Sequence, residues 1–288
     1  MCHVLVTLAL ALDEGAGTPF NFHAKHIEPY PYYESNGILD HDFYAALARD
    51  FPPVPDAVRT GRNALGNKSI RRTDSAYAHL LAHSAAWRAL DRFVYSPRMI
   101  DLCMRLFGDA LRSNPKCRVD PSKARFVDRN ETLSTRDPRT GAYTGGGIRT
   151  GPYYHRRRLR TGDPNELYVV MDFFHGPGAD VARAQRAGRK AYTFGRHLDW
   201  PFRVASLLIY FTDTDESTGG HLQVYNGSRV HRSIAIKQNS GISHLSPDAR
   251  AWHGVPTYTG QGYRRLVQIQ LSSSWSVCRD SNADIYVN

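Results

Sequence analysis

The strongest constraint on the fold is a series of short β-type runs that occupies the second half of the chain. Each run is rich in β-branched, aromatic or other apolar residues and is bounded by turn-forming residues, as in strands with one or both faces buried. The predicted strands are Leu167–Phe174, Val204–Phe211, Leu222–Tyr225, Ser233–Ile236, Gly241–Leu245 and Leu266–Leu271. Several short strands in succession predict an all-β sandwich or barrel for this part of the chain.

The first third of the chain is different, because its apolar residues recur at helical spacing. His41–Asp50 has this pattern and is stopped by Pro52 and the proline after it. Two further helices are predicted at about 85–95 and at 97–111, the second introduced by Ser96. Helices first and strands afterwards predict an α+β fold, mainly β, in which N-terminal helices buttress a β core.

The chain has 288 residues, of which 41% are hydrophobic, enough for one large core. We therefore predict a single domain over 31–288, with helical support in 31–120, the β core in 121–288, and an N-terminal extension of uncertain role in 1–30. The extension contains an apolar run, Val4–Leu12, but no Lys or Arg precedes it and acidic residues follow directly, unlike a signal peptide. No apolar run approaches the roughly 20 residues that span a bilayer, so we expect no membrane partner.

The charge balance indicates an acidic partner. The formal net charge is +10 and the isoelectric point is near 9.6, which suits a nucleic acid, a phosphorylated small molecule or a carboxylate-rich substrate. The densest basic cluster is Arg156–Arg160, although such runs are usually solvated loops. No nucleic-acid-binding module is recognisable, so we expect a small polar or anionic substrate rather than nucleic acid.

The four cysteines are scattered along the chain. Cys2, Cys103, Cys117 and Cys278 form neither a CxxC motif nor a metal-ligand spacing. Few and unpatterned cysteines fit a reducing compartment better than a disulfide framework. We therefore predict unpaired cysteines and a cytoplasmic location.

The segment Gly195–Trp200 contains a candidate metal motif, His197-Leu198-Asp199. In an extended segment, residues two apart point to the same side, so the imidazole and the carboxylate project together. Two histidines and one carboxylate form the facial triad of non-haem iron(II) oxygenases, which leaves metal positions open. A lone HxD arises often by chance, so the motif needs its context.

The sequence that follows supplies this context. After HLD come a predicted strand, an acidic turn, GGHLQVY, then WHGVP and finally GYRRLVQIQL. In this order and spacing, residues 192–272 resemble the catalytic core of the iron(II)/2-oxoglutarate oxygenases, specifically the prolyl-hydroxylase-like group. The upstream helical part resembles the lead-in of such enzymes less specifically. The resemblance implies a double-stranded β-helix core (jelly-roll, cupin-like) supported by helices.

The resemblance also implies roles for individual residues. His197, Asp199 and His253 would be the iron ligands and hence the catalytic residues, and an arginine would bind the far carboxylate of 2-oxoglutarate. Arg264 and Arg265 both stand at the start of the predicted last strand. Strand alternation favours Arg264, because the cavity wall would then carry Gln268 and the other polar residues of its set, while Arg265 remains the alternative.

Further positions are candidates for ligand contacts. Tyr210 matches a position whose hydroxyl often contacts the same carboxylate, with core packing as an equal alternative, and Leu222 would form an apolar wall beside the co-substrate. Candidate substrate contacts are Trp200, Phe202, His221, Gln268 and Trp252, although aromatic residues beside a site more often serve packing alone.

The resemblance implies a dioxygenase that uses Fe(II), O2 and 2-oxoglutarate and releases succinate and CO2. Because Asp199 fills the carboxylate position, which the halogenating branch of the family lacks, we expect a hydroxylase or a related desaturation or ring closure. A small polar or anionic metabolite is the expected substrate. The alternatives are an oxygenase acting on a protein side chain or nucleic acid, and a jelly-roll binding protein without turnover. The oligomeric state is not determined by the sequence.

Overall fold

The computed structural model describes residues 17–59, 68–72, 74–128, 135–136, 143–144, 163–184, 191–199, 202–273 and 277–278. The helices are α1 (His41–Arg49), α2 (Asp56–Arg59), α3 (Ser75–His83), α4 (Ala85–Val94), α5 (Pro97–Ser113) and α6 (Ala179–Ala184). The strands are β1 (Ala24–His26), β2 (Tyr32–Asn36), β3 (Lys68–Arg71), β4 (Arg125–Phe126), β5 (Thr135–Arg136), β6 (Tyr143–Thr144), β7 (Glu166–Pro177), β8 (Phe194–His197), β9 (Arg203–Tyr210), β10 (Leu222–Asn226), β11 (Arg229–Ile234), β12 (Ser240–Leu245), β13 (His253–Val255) and β14 (Tyr263–Ser273).

The described strands form two main antiparallel sheets. The larger sheet has the order β1-β2-β12-β9-β14-β7-β3, and β4 pairs with β7 in parallel. The smaller sheet has the order β11-β10-β13-β8, and β5 pairs with β6 separately. Neighbouring strands in the larger sheet come from distant parts of the chain, so β14 lies between β7 and β9.

The helices begin and end where local sequence signals place them. The Asp40 side chain accepts hydrogen bonds from two backbone N–H groups at the start of α1, and the Ser84 hydroxyl accepts one from Trp87 at the start of α4. Pro97 occupies the first turn of α5, where its missing N–H removes no helical hydrogen bond. The predicted helices at 41–50, 85–95 and 97–111 therefore correspond to α1, α4 and α5 within a few residues.

One hydrophobic core lies between the helices and the outer face of the larger sheet. Trp87 of α4 and Phe107 of α5 are fully buried in it, and the Trp87 indole donates to the Leu47 carbonyl at 3.1 Å. The sheet contributes fully buried apolar side chains that alternate along β14, namely Val267, Ile269 and Leu271. This core attaches the helical layer to the sheet.

A second core lies between the two sheets. It combines side chains of the larger sheet, such as Ile242 and Leu266, with side chains of the smaller sheet, such as Leu222 and Val224. Buried polar residues also belong to this inner face, among them Ser206, His244 and Gln270. The space between the sheets is therefore the part of the fold in which polar chemistry is enclosed.

The structure also departs from the sequence predictions. The predicted strand Ser233–Ile236 is misplaced, because β11 begins at Arg229, where a tight turn through Gly227 (φ +60°) pairs it with β10. Strands β1 to β3 and helix α3 were not predicted, and β2 and β3 fall in the part expected to be helical. The apolar run Val4–Leu12 and the basic cluster Arg156–Arg160 lie outside the described residues. Within the described parts of the chain, no helix has the length and apolar character to cross a membrane.

The prediction of unpaired cysteines is wrong. Cys117, just after α5, forms a disulfide with Cys278, which follows β14 at a separation of 161 residues. The expectation failed because pairing depends on proximity in the fold, which the scattered spacing does not reveal. Cys103 is free and buried in α5. The cytoplasmic location, which relied in part on the cysteines, remains a prediction.

Candidate metal centre

Three side chains converge at one end of the smaller sheet. Ligand atoms of His197, Asp199 and His253 all lie within 4.8 Å of one another. His197 ends β8 and His253 begins β13, and the two are directly paired across the antiparallel ladder. Asp199 lies two residues beyond His197 and is 5% exposed. The ladder register therefore brings together the residues that the two sequence motifs contain.

The two histidines are held in the same way. Nδ1 of His197 lies 2.8 Å from the Gly195 carbonyl, and Nδ1 of His253 lies 2.9 Å from the Ala251 carbonyl. Since a carbonyl only accepts, each Nδ1 carries the proton and each Nε2 keeps a lone pair for a metal. Burial lowers the pKa of His197, and burial with the neighbouring His197 ring lowers the pKa of His253 well below its usual range. Both rings are therefore neutral ligands at neutral pH.

The Asp199 carboxylate is held by four side chains. One oxygen accepts from Arg203, and the other accepts from Ser206 at 3.1 Å, Ser246 at 3.0 Å and His244 at 2.9 Å. Burial alone raises the pKa of the carboxyl, but Arg203 and the His244 hydrogen bond outweigh it and hold the pKa well below the usual range. The carboxylate is thus ionised and oriented.

This donor set fits a divalent transition metal. Two neutral imidazoles and one carboxylate on one side of the site match the facial arrangement that non-haem iron(II) uses, with the remaining metal positions left to other ligands. The hydrogen bonds from each Nδ1 to a backbone carbonyl are the kind of outer contact that fixes such ligands. The residues present therefore fit an iron(II) ion.

Arg264 is a buried cation on the inner face of β14. It is 2% exposed, and its Nε donates to the Gly220 carbonyl at 2.7 Å. Its guanidinium lies 5.3 Å from the ring centres of both Tyr192 and Tyr210. Among the described residues it has no acidic partner within salt-bridge distance. A buried guanidinium without an anion is a site for a carboxylate or phosphate ligand.

Arg265 points to the opposite face of β14. Its Nη2 donates to the Phe211 carbonyl at 3.3 Å, and its guanidinium lies 5.5 Å from the Phe51 ring centre on the helical side. Strand alternation favours Arg264 as the inward-facing residue, and the two arginines do lie on the inner and outer faces of β14 in that order. Gln268 shares the inner face with Arg264 and accepts from the Gln270 amide at 2.7 Å.

The double glycine before β10 is required by close backbone contacts. Gly219 and Gly220 both have positive φ, +63° and +72°. A Cβ on Gly219 would lie 1.9 Å from the Thr257 carbonyl oxygen, and one on Gly220 would lie 2.8 Å from the Tyr258 ring. Only glycine fits both positions, and the resulting turn presents the Gly220 carbonyl to Arg264.

Two other predicted cofactor contacts lie between the sheets. Tyr210 is fully buried, with its hydroxyl beside the Arg264 guanidinium. Burial raises the pKa of Tyr210, so the hydroxyl stays protonated and can donate. Leu222 is 2% exposed within the core between the sheets.

The predicted substrate residues do not form one group. Trp200 lies outside the described residues, and Phe202 is buried at 5% exposure. His221 is buried with Nδ1 3.0 Å from the Asp215 carbonyl, which ties it to the acidic turn, while its Nε2 has no partner among the described residues. Phe202 and His221 are therefore both buried, and neither presents an exposed surface to a substrate.

The Trp252 ring packs against a cation of the protein itself. The Arg196 guanidinium lies 3.8 Å from its ring centre and 5.9 Å from that of Tyr225. Phe194, which the sequence reasoning did not single out, is 49% exposed, and its ring centre lies 4.2 Å from that of His197. Phe194 is therefore an exposed aromatic group directly beside a candidate ligand.

The side chains around Asp199 were also missed. His244 was not among the predicted site residues, but it is 2% exposed and bonded to Asp199. Ser206, Ser246 and Arg203 were not considered. A usable signal exists: polar residues at alternate positions of otherwise apolar strands indicate an enclosed polar face.

No protein-family model matches the sequence, and no curated protein matches it. Among solved structures, a prolyl 4-hydroxylase of Phytophthora capsici is similar at 13% identity and a TM-score of 0.44. That match covers 84% of this chain and 58% of the other, so the chain spans less than two thirds of that protein.

A Pseudomonas putida prolyl-4-hydroxylase is similar at 14% identity and a TM-score of 0.40, over 92% of this chain and 98% of the other. The non-haem α-ketoglutarate-dependent epimerase SnoN of nogalamycin biosynthesis is similar at 11% identity and a TM-score of 0.41, over 95% and 82%. Two of these three structures are of prolyl 4-hydroxylases, and all three likenesses have TM-scores below 0.5.

Proposed function

We propose that the protein is an Fe(II)- and 2-oxoglutarate-dependent dioxygenase of the hydroxylase type. Its substrate would be a small polar or anionic metabolite, oxidised at an unactivated C–H bond with release of succinate and CO2. The observation that carries the proposal is the convergence of His197, Asp199 and His253, with no hydrogen-bond partner on either imidazole Nε2 among the described residues. The fold assignment that accompanies it is a single domain over 31–288 with a jelly-roll, double-stranded β-helix core.

His197, Asp199 and His253 would hold the iron. When bound, iron(II) supplies O2 activation coupled to oxidative decarboxylation of the oxo acid. The chain orients the ligands through the Gly195 and Ala251 carbonyls, which fix both imidazoles before the metal arrives. Burial of Asp199 and His253 keeps water away from two of the three ligands.

Arg264 would bind the far carboxylate of 2-oxoglutarate. Its guanidinium is buried, lacks an acidic partner among the described residues, and presents a planar fork that matches a carboxylate. The Tyr210 hydroxyl is the second donor available nearby, and Leu222 would flank the carbon chain. The co-substrate would then extend from Arg264 toward the histidines between the two sheets.

The character of the inner face supports a polar or anionic substrate. Gln268 is partly exposed there and is bonded to Gln270, so amide groups line the wall beside the candidate cofactor site. The net charge of +10 favours approach of an anion. Phe194 adds an apolar contact at His197.

The metal assignment is tested by anaerobic titration with iron(II) and 2-oxoglutarate. We expect the weak visible charge-transfer band of a keto-chelated iron(II) in the wild type and its loss in His197→Ala. The matched control is His41→Ala, because the His41 side chain is 91% exposed and distant in sequence from the site. Absence of the band in the wild type, or its persistence in His197→Ala, contradicts the proposal.

The substrate class needs a separate screen. A panel of polar and anionic metabolites, peptides and oligonucleotides is scored for succinate release together with O2 uptake. We expect stimulation by a small metabolite. Stimulation by peptides or oligonucleotides alone would overturn the small-molecule assignment while leaving the oxygenase assignment intact.

A further inference from the structure

Asp199 shares a buried ion pair with Arg203. Arg203 is 7% exposed, and while one terminal nitrogen donates to Asp199, the other donates to the Gln270 side chain at 2.8 Å. Gln270 in turn donates to Gln268 at 2.7 Å. Both terminal nitrogens of the guanidinium therefore have acceptors, and these contacts fix its position beside the candidate metal ligand.

The orientation of Asp199 does not depend on Arg203 alone. Ser206, Ser246 and His244 all contact the other carboxylate oxygen, at 3.1, 3.0 and 2.9 Å. Three donors on one oxygen are enough to fix the plane and rotation of the group. What Arg203 adds beyond them is a permanent positive charge, because a guanidinium does not lose its proton in proteins.

This charge changes the electrostatics of the metal pocket. With two neutral imidazoles, the carboxylate is the only negative group among the three candidate ligands, and Arg203 cancels it. A metal ion bound to the same carboxylate would lie within a few ångströms of the guanidinium, at a distance where like charges repel strongly in a dry site. A divalent ion bound without an anion would therefore meet no net negative charge at the Asp199–Arg203 pair.

We propose that Arg203 is a built-in counter-ion of Asp199 that weakens the binding of a divalent metal to the pocket. The inference rests on the proposed function. The same positive charge attracts a dianionic 2-oxo acid, so loss of Arg203 should strengthen metal binding and weaken binding of the 2-oxo acid. Arg203 thus acts through Asp199, by its charge rather than by orienting the carboxylate.

The test is calorimetric titration of the metal-free full-length protein with Mn(II), with and without saturating 2-oxoglutarate. In the wild type we expect 2-oxoglutarate to tighten Mn(II) binding by at least about fivefold, the lower end of usual coupling between sites. In Arg203→Gln we expect Mn(II) alone to bind more tightly than in the wild type. Equal or weaker binding of Mn(II) alone by a folded Arg203→Gln protein overturns the inference.

Two controls separate charge from ordinary support. Arg203→Lys keeps the charge and should retain the wild-type affinity for Mn(II) alone; tighter binding in this variant contradicts the inference. Ser246→Ala removes an uncharged donor from the same carboxylate and should weaken Mn(II) binding by about tenfold, the direction expected when a supporting contact is lost. Tighter binding of Mn(II) in Arg203→Gln and weaker binding in Ser246→Ala would together identify Arg203 as a counter-ion.

A second variant covers the case in which Arg203→Gln does not fold. Asp199→Asn keeps Arg203 but removes its compensating charge, so the metal-free variant should bind 2-oxoglutarate more tightly than the metal-free wild type. No gain in that affinity overturns the inference. If instead the wild type binds no Mn(II), or 2-oxoglutarate never affects it, the proposed oxygenase function fails, which is a distinguishable result.

Discussion

The two faces of β14 share one backbone and differ in almost every other property. On the outer face, Val267, Ile269 and Leu271 are fully buried against the helical layer. On the inner face, Arg264 and Gln270 are buried among polar groups between the sheets. Because side chains alternate along a strand, consecutive residues of one segment serve different cores.

This difference indicates which side chains of β14 determine stability and which determine ligand binding. The outer face removes apolar surface from water, which is the main favourable contribution to folding. The inner face buries charged and amide groups, which stabilise a fold weakly or not at all. We therefore expect substitutions on the outer face to change the free energy of unfolding, and those on the inner face to change ligand affinity.

The largest effect is expected from Ile269→Ala. Removing buried methylene and methyl groups from a packed core costs about 2–5 kcal/mol, while Ile269→Val should cost only about 0.5–1.5 kcal/mol. Denaturant unfolding measures both values. The folded Ile269→Ala protein should bind Mn(II) and 2-oxoglutarate as the wild type does. Altered binding would contradict the assignment of stability to the outer face and ligand affinity to the inner face.

The next largest effect is expected from Arg264→Met, on binding rather than stability. Losing the charge-assisted hydrogen bonds to a carboxylate costs about 1.5–3 kcal/mol, so 2-oxoglutarate should bind about 10- to 150-fold more weakly. Calorimetry of the Mn(II)-loaded protein measures this loss. The melting temperature should stay the same or rise, because a buried cation without an acidic partner is removed.

The stability of the protein should depend on pH through a histidine on the outer face of the larger sheet. His175, in β7, is fully buried beside Phe51, and burial lowers its pKa from 6.5 to about 4. Between these values the unfolded chain takes up a proton that the folded protein does not, so stability is complete above pH 6.5 and falls as the pH falls, by up to about 1.4 kcal/mol per pH unit.

The His175→Gln variant tests this assignment, because glutamine can still donate to the Pro52 carbonyl that the ring contacts at 3.0 Å. Its unfolding free energy should depend less steeply on pH between 6.5 and 4 than that of the wild type. Identical slopes would show that His175 does not cause the acid sensitivity.

The smallest effect is expected from Arg265→Met, the matched partner of Arg264→Met. Arg265 lies on the outer face with its guanidinium near the Phe51 ring and one hydrogen bond to the Phe211 carbonyl, and losing both contacts should cost about 1–2 kcal/mol of unfolding free energy. Affinity for 2-oxoglutarate should be unchanged in the calorimetric assay. A marked loss of affinity here would mean that the wrong arginine has been assigned.

Much of the candidate site follows from local rules in the sequence. The common side of His197 and Asp199, and the inward turn of Arg264, follow from the alternation of strand residues. The predicted helices and most predicted strands have apolar patterns strong enough to be read without the fold.

The rest depends on partners that are distant in sequence. Strand β2 pairs with β12, about 200 residues later, and its sequence has no clear alternation, so it was not predicted. The same holds for the Cys117–Cys278 disulfide. His244 and Arg203 look like ordinary polar residues until the two sheets enclose them. Long-range proximity, rather than residue type, gives them their roles.

The position of β8 has a consequence for metal exchange. Within the described part of the chain β8 is an edge strand, paired only with β13, and its first three residues are exposed. Such a strand can open locally while the larger sheet stays intact, at a free-energy cost below that of global unfolding. We therefore expect a chelator to strip the metal from the folded protein at a rate set by the fraying of this edge, and fresh metal to be taken up again without refolding.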